Sequence, residues 1–414
     1  KLSFYARGGY YDNKTRRPYE AYDYNILHET FNYGIGAQYM INKGNYITAD
    51  CYADHFSSSY CFFKDNKTYN GKAGEEQVRK RTRNHNLSIK GIFKLGNRHK
   101  LSVGTEYIVD VLKSQTDNIA KEDAYTLALF AQDEIKLLRN LQALIGVRYI
   151  YHENFKNHAT PNVALMYKPG KFNFRASYAA GFRTPTLSEL YATDIAKKND
   201  RLTIGNLDLK PEKNNYFSLS AEYVHERFSV SVNAFYNNIR DMIDYNTIAT
   251  GDKAMEQYGH KEVRQRDNIA EAKVHGINVS ANAYLGAGFN LSGGYTHLNT
   301  QDVELEQPID KSIKNAYNIN AQWAHSWKIY RLNINLNGRF NSKRFSKSYG
   351  YAPEYQLWDL NTRHSFNLKS VIIEPGCGME NLFDYMDDRP YNSNYATLTP
   401  GRSFYISLSL KFKS

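Results

Sequence analysis

The end of the chain alternates. Phe404, Ile406, Leu408, Leu410 and Phe412 fall on one set of positions, while Ser403, Ser407, Ser409 and Lys411 fall on the other. Successive side chains of an extended strand point to opposite faces, so a period of two predicts a strand with one apolar and one polar face. The pattern recurs at Leu332, Ile334, Leu336, Gly338 and Phe340, set against Arg331, Asn333, Asn335, Asn337 and Arg339. It recurs again at Phe172, Phe174, Ala176 and Tyr178, at Phe217, Leu219, Ala221 and Tyr223, at Phe228, Val230, Val232, Ala234 and Tyr236, and at Phe289, Leu291, Gly293 and Tyr295.

About eighteen such segments of roughly ten residues are expected, the length a tilted strand needs to cross a bilayer. Short turns separate them at 42–45, 96–99, 138–140, 169–170, 226–227, 286–287, 327–329 and 369–370. Longer polar loops fall at 57–84, 182–214, 240–262, 299–316 and 380–399. Short turns at one end and long loops at the other predict an outer-membrane β-barrel, with the long loops after odd-numbered strands. A sheet edge exposed to lipid would leave unsatisfied backbone groups, which requires closure. A soluble propeller would show a repeat of roughly 40 to 50 residues. None is seen, and residues 1–414 are read as one all-β transmembrane antiparallel barrel domain.

Composition fits that class. The chain has 414 residues with 42% hydrophobic and 14% aromatic content, including 35 Tyr. That content excludes a disordered chain. Mean hydropathy is −0.64, and no window offers the apolar run of a spanning helix. Lys plus Arg number 53 against 42 Asp plus Glu, a formal charge of +11. The excess is spread over alternating positions such as Arg331, Arg339 and Arg363, with no aromatic platform beside it, which argues against nucleic-acid binding. Cys51, Cys61 and Cys377 have no metal-binding spacing. Cys51 and Cys61, read as lying in one loop region, could pair in an oxidising compartment, leaving Cys377 alone.

The stretch from Tyr178 narrows the class. It carries Phe182, Arg183, Pro185, Thr186, Leu187, Glu189, Leu190 and Tyr191, followed by Gly205, Asn206, Leu209, Lys210, Pro211 and Glu212. This resembles the FRxPTLxELY and GNxxLKPE motifs of the TonB-dependent outer-membrane receptors. Asn381, Leu382 and Phe383 within ENLFDYMDDRPY, and Pro400, Gly401 and Arg402 before the last strand, resemble that family as well. From the residues alone, Pro185 ends regular strand pairing, and Glu189 and Glu212 could receive Arg183 or Lys210 and pin the large loop to the wall. Leu207 stands where relatives often carry Pro. The resemblance implies a barrel of twenty-two strands preceded by a plug domain. About eighteen strands are visible here and the plug is absent, so Lys1 is read as a processed or truncated start.

The resemblance further implies active import of a scarce large nutrient, an iron–siderophore, haem or a corrinoid, across a Gram-negative outer membrane. It implies energy from the TonB–ExbB–ExbD complex acting through the plug, and leaves room for a surface lipoprotein partner. Contacts with outer-membrane lipid and lipopolysaccharide are expected. The alternative is a passive eighteen-stranded porin for small solutes. Tyr191, Tyr258, His260, Tyr349, Tyr351, Tyr391 and Tyr395 fall in or beside the expected loops, where a ring can stack on a planar ligand and a hydroxyl can hydrogen-bond. The basic run Arg79, Lys80, Arg81 and Arg83, placed in the 57–84 loop, could attract an anionic chelate or lipopolysaccharide phosphates. Haem receptors usually place a His between the two boxes, and residues 186–204 contain none; His158, His260 and His364 lie nearest. Asp387 and Asp388 have no His or Ser placed to complete a nucleophilic set, so no enzyme is expected, nor a resident cofactor or metal.

Overall fold

The computed structural model describes residues 1–19, 22–67, 69–196, 200–346, 350–387 and 400–413. In chain order its elements begin with β1 (Leu2–Tyr19), β2 (Tyr22–Asn42), β3 (Asn45–Phe62), β4 (Glu76–Leu95), β5 (His99–Ser114), β6 (Ile119–Leu138), β7 (Leu141–His152), β8 (Lys156–Tyr167) and β9 (Phe172–Arg183). Helix α1 (Leu187–Tyr191) follows, then β10 (Thr193–Ala196), β11 (Arg201–Ile204), β12 (Glu212–Val224), β13 (Phe228–Thr250) and helix α2 (Gly251–Tyr258). The chain closes with β14 (Glu262–Gly286), β15 (Phe289–Asp302), β16 (Asn315–Trp327), β17 (Tyr330–Asn341), β18 (Arg344–Ser346), β19 (Gly350–Ala352), β20 (Tyr355–Asn367), β21 (Val371–Glu380) and β22 (Ser403–Phe412). Among the described residues eighteen strands run for ten residues or more, the number the alternation predicts, and the fold is all-β.

Two compact units are distinguished. The first is Lys1–Ala164, Ala179–Asn215 and Ile239–Ala270; the second is Leu165–Tyr178, Tyr216–Asn238 and Glu271–Ser414. In the first, β1 to β7 form consecutive antiparallel pairs. One face carries exposed Phe31, Tyr33 and Ile35 of β2, Leu87 and Ile89 of β4, Leu127 and Leu129 of β6, and Val147 and Tyr149 of β7. The other is polar, with Asn84 donating to Asp110 and Arg148 to Glu106. In the second unit, β14 from Ala272 onward, then β15, β16, β17, β20, β21 and β22, form another antiparallel run. Its apolar face exposes Leu291, Ile319, Ile406 and Leu408, while Asn320 donates to Asn335 across the opposite face. An apolar face open to the surroundings and a hydrogen-bonded polar face reverse the usual soluble arrangement, as a lipid-facing sheet requires.

The eight short turns lie where the sequence places them. At the first, Gly44 adopts φ +103°, a conformation that favours glycine. The strands are longer than expected, reaching 23 residues in β13 and 25 in β14. Both continue past the apolar band, where the alternation fades and apolar residues such as Ile243, Ala249 and Val263 pack into small buried clusters. The expected 57–84 loop shrinks to the connection between Phe62 and Glu76, because Cys61 pairs with Glu76 and the ladder runs on from there with one register shift between Ser58 and Ser59. Arg79, Lys80, Arg81 and Arg83 therefore lie on β4, not in a loop. Residues 240–250 belong to β13 for the same reason. Long loops also fail to follow every odd strand, since β5–β6 and β7–β8 connect tightly. All three cysteines are free. Cys51 and Cys61 sit on one extended strand about 33 Å apart along its length, which rules out their pairing.

Candidate functional site

The loop after β9 is anchored at its first residue. Pro185 is buried and ends the strand. Thr186 then caps α1: its hydroxyl accepts from the Glu189 N–H at 3.2 Å, and its own N–H donates to Glu189 Oε2 at 2.8 Å. That reciprocal capping box turns the Glu189 carboxylate toward Arg183. Arg183 donates Nη1 to Glu189 Oε2 at 2.9 Å, and Nε and Nη2 to Glu212 Oε2 and Oε1 at 2.8 and 2.6 Å. Glu212 Oε1 also accepts from the Ile243 N–H at 2.9 Å, which brings β13 into the knot. Burial pushes the Glu189 carboxyl up, but the hydrogen bonds from Arg183 and Thr186 outweigh it and hold the group below its ordinary range. Both carboxylates are taken by Arg183, while Lys210 participates through its backbone: its N–H donates to Asn268 Oδ1 at 2.7 Å, and its carbonyl accepts from Asn268 Nδ2 at 2.9 Å.

The second motif closes the loop onto that anchor. A Cβ on Gly205 would stand 2.5 Å from the Leu190 carbonyl oxygen, so only glycine permits this approach of β11 to α1. The Gly205 N–H donates to Ala192 O at 2.7 Å, and the Asn206 N–H to Glu189 O at 3.0 Å, using carbonyls at the end of α1. Leu190, Leu209 and Ile243 are buried together, with Phe155 and Tyr191 packed against them. Leu207, at the position where relatives often have Pro, is exposed. Strand β11 pairs in parallel with the start of β14, and Ala249, Ala254 and Val263 bury beside Leu202, Ile204 and Tyr258. The loops after β9 and β13 thus share small apolar cores.

A cavity of about 300 Å³ opens within this assembly. Lys80, Arg201, Arg264 and Arg266 line it against two carboxylates, Asp117 and Asp194. The Arg201 Nε is buried without a hydrogen-bond partner among the described residues. Arg264 is held by Glu262 at 2.5 Å, and Arg266 lies over the Tyr245 ring with 3.6 Å to its centroid. Lys80 Nζ lies 3.5 Å from both Asp117 and Ser188. Burial, and then the neighbouring Asp117 charge, push the Asp194 carboxyl above its ordinary range. The lining favours an anion with several acceptor oxygens. Apart from Lys80, considered only as part of the basic run, sequence reasoning missed these residues. They lie far apart along the chain and carry no motif, so only the loop fold brings them together.

The remaining candidates are dispersed. Tyr191 packs inward with the apolar cluster beside α1. Tyr258 ends α2 and packs on the second cluster. His260 is half-buried, its Nδ1 2.8 Å from Asp200, and that hydrogen bond holds the Asp200 carboxyl below its ordinary range. Tyr351 lies on β19, exposed, its ring 5.3 Å from Phe345. Tyr349, Tyr391 and Tyr395 lie outside the described residues, as does Asp388. Of the other histidines, His158 stacks on Phe182 at 4.6 Å and its Nε2 lies 3.0 Å from the Phe155 carbonyl, and His364 Nδ1 lies 2.7 Å from the Tyr330 hydroxyl. In the second unit Asn381 is buried at φ +51°; its amide donates to the Tyr385 and Pro400 carbonyls, and its N–H to Asp359. The Leu382 N–H donates to Trp358 O, the Arg402 N–H donates to Asp384 Oδ1 across the 2.6 Å between them, a Cβ on Gly401 would lie 3.0 Å from that same oxygen, and Phe383 is exposed.

Comparison with known proteins follows the same lines. The chain is similar to the ferric enterobactin receptor PfeA of Pseudomonas aeruginosa, in a point variant, at 18% identity and a TM-score of 0.77, covering 94% of this chain and 62% of that one. It is similar to the siderophore receptor PirA of Acinetobacter baumannii at 16% identity and a TM-score of 0.68, covering 100% and 71%. BauA, the ferric preacinetobactin receptor of the same species, matches at 14% identity and a TM-score of 0.66, covering 94% and 63%. The chain therefore spans less than two thirds of the first of these receptors, and the three likenesses concern the fold. The sequence model of the family described as TonB dependent receptor-like, beta-barrel, matches residues 1–381. With the eighteen long strands and both loop motifs in place, the chain belongs to the TonB-dependent receptor β-barrel family.

Proposed function

We propose that the chain is the barrel of an active importer that carries an anionic iron–siderophore across a Gram-negative outer membrane. The reading rests on one observation above all: a cavity lined by Lys80, Arg201, Arg264 and Arg266 inside a loop assembly pinned by Arg183. Guanidinium groups are weakly hydrated and present forked donors, which suits chelates whose iron is wrapped in charged oxygens. The relatives named for their ligands are receptors for ferric siderophores, in line with this choice. Haem is less well served, because residues 186–204 carry no His and His158, His260 and His364 lie on separate elements. The passive porin finds no support among the relatives, which are receptors and not enzymes. The TonB–ExbB–ExbD complex, acting through a plug domain, would supply the energy.

The test uses the natural full-length receptor in a strain lacking other siderophore receptors. Uptake of radiolabelled iron from a panel of ferric catecholates, ferric carboxylates and haem, and of radiolabelled cobalt from cobalamin, is measured with and without TonB. We expect TonB-dependent uptake of at least one anionic siderophore, with affinity falling at least tenfold in Arg264→Ala/Arg266→Ala. Uptake of haem or cobalamin alone, or uptake indifferent to TonB, defeats the proposal.

A further inference from the structure

The cationic cavity is not lined by cations alone. Two carboxylates, Asp117 and Asp194, face it together with Lys80, Arg201, Arg264 and Arg266. Their situations differ. Asp117 is committed, since its Oδ2 accepts from the Ser188 hydroxyl at 3.2 Å and lies 3.5 Å from Lys80 Nζ. Asp194 is half-buried and stands in no ion pair among the described residues. Burial, and then the Asp117 charge, outweigh the Ile195 backbone hydrogen bond and the Arg201 charge, and hold its carboxyl above the ordinary range.

Strand pairing fixes where Asp194 stands. It lies opposite Thr203 in the antiparallel pair of β10 with β11, and Thr203 is matched to Arg264 in the parallel pair of β11 with β14. Asp194, Thr203 and Arg264 therefore form one row across three strands, about 4.8 Å from each to the next, and all three line the cavity. An anion held between Arg201 and Arg264 sits over Thr203, beside Asp194. A charged Asp194 repels that anion, whereas a protonated one presents an O–H donor to it. The other charged and titratable groups around the cavity are Asp117, Lys80, the three arginines and the Tyr245 hydroxyl, which accepts from Arg266 at 2.7 Å. Of these side-chain types only carboxyls change charge between about pH 4 and pH 8.

We propose that Asp194 couples capture of an anionic chelate to uptake of one proton: the carboxyl takes the proton from solvent as the anion enters and donates it as a hydrogen bond to one of the anion's oxygens. The inference rests on the reading of this cavity as the chelate's site. Protonation removes a repulsive charge and supplies a donor at the one carboxyl that no cation holds. Binding and protonation then assist each other, so affinity rises as pH falls. Above the value of the Asp194 carboxyl in the complex no proton is taken up and binding is weakest. Between that value and the one in the empty receptor, affinity rises by up to about tenfold per pH unit, and below both it levels off. Burial and Asp117 already raise the carboxyl of the empty site, so this window lies nearer neutrality than an exposed aspartate would put it.

The test uses the natural full-length receptor in a non-ionic detergent and titrates it with tris(oxalato)chromate(III), a substitution-inert trianion whose own charge stays constant from pH 5 to pH 7.5. Calorimetry in buffers of different ionisation enthalpy counts the protons taken up. We expect binding at least fivefold tighter at pH 5 than at pH 7.5, with net proton uptake between them. Asp194→Asn, which keeps a neutral donor, should bind at least fivefold tighter than wild type at pH 7.5 and take up no proton; heat-modifiable migration on gels verifies that each variant is folded. Binding that needs Arg264 and Arg266 but takes up no proton, or takes up as many in Asp194→Asn, overturns this inference alone. Binding that survives Arg264→Ala/Arg266→Ala, or no binding at any pH, defeats the reading of the cavity and the inference with it.

Discussion

Replacing Arg183 with Ala tests whether the loop motif is a mechanical anchor. The change leaves Glu189 and Glu212, whose side chains are 13% and 16% exposed, without their shared cation. Hydrogen bonds to charged groups contribute about 1.5–3 kcal/mol each, and unpairing a buried charge costs about 3–5 kcal/mol. Arg183 is itself 42% exposed, so solvent screens the pair and the net cost falls to about 2–3 kcal/mol. At about 1.4 kcal/mol per decade, local opening becomes roughly 30- to 150-fold more frequent. Hydrogen exchange followed by mass spectrometry should show this in α1 and around Gly205, with the ladders of β2 to β6 unchanged. Arg183→Lys should fall between, since one ammonium cannot serve two carboxylates in a fixed fork. The pH response has a defined sign. Because the Glu189 carboxyl is held below its unfolded value, its contribution is present above that value and is lost as pH falls through the folded one. Wild-type α1 should therefore loosen only on acidification below the ordinary carboxylate range, and Arg183→Ala should flatten that response. If α1 exchanges at the same rate in the variant, or the whole sheet loosens with it, the anchor reasoning is wrong.

Three further outcomes follow from contacts in these loops and in the connection between β21 and β22. Gly205→Ala forces a Cβ to within 2.5 Å of the Leu190 carbonyl; limited proteolysis should cut the variant between 187 and 212 at least tenfold faster, and an unchanged rate would remove the close-approach argument. Asn381→Ala deletes three hydrogen bonds made by one buried amide and should loosen residues 381–387 by about 2–3 kcal/mol in hydrogen exchange, while Asn381→Asp, which keeps the acceptor alone, should recover only part. The Asp194 carboxyl is raised by burial and by Asp117, so its ionisation opposes folding of the loop and stability is lost as pH rises through its folded value. Asp194→Asn should slow exchange in β10 and β11 at pH 7 and leave it unaltered at pH 3; a faster rate at pH 7 would count against the assignment.

The fold was legible wherever one face of a strand is apolar. Phe404 to Phe412 and Leu332 to Phe340 announce β22 and β17 because lipid demands a hydrocarbon face and the opposite face stays polar. The turns were legible as well, since a tight connection needs residues of turn chemistry at a fixed place, as at Gly44. What the pattern concealed was length. In Glu76–Thr82 neither face is apolar, and the ladder is held by backbone bonds to β3 and β5 that any side chain permits. From sequence alone the basic run there therefore reads as loop, whereas its place on a strand sets Arg81 opposite Lys113.

The site divides along a similar line. Residues whose roles depend on near neighbours in sequence, such as the Thr186–Glu189 capping box, were visible as motifs, because a one-turn helix sets their spacing. The Arg183 knot was half visible: its acidic partners could be named, but the choice of Arg183 over Lys210 for both follows from Asn268, which holds the Lys210 backbone from 58 positions away. Arg201, Arg264 and Arg266 left no signal at all. Their convergence is produced by the parallel pairing of Arg201–Ile204 with Glu262–Gln265, a contact between loops that no local pattern specifies. The motifs therefore mark the framework that positions the loops, and the cationic cavity is assembled from residues between them. Substitutions in the framework should change loop exchange first and ligand affinity only through it, whereas substitutions of Arg264 and Arg266 should change affinity with exchange in α1 unaltered. That separation distinguishes an anchored binding cavity from a loop whose charges serve only its own folding.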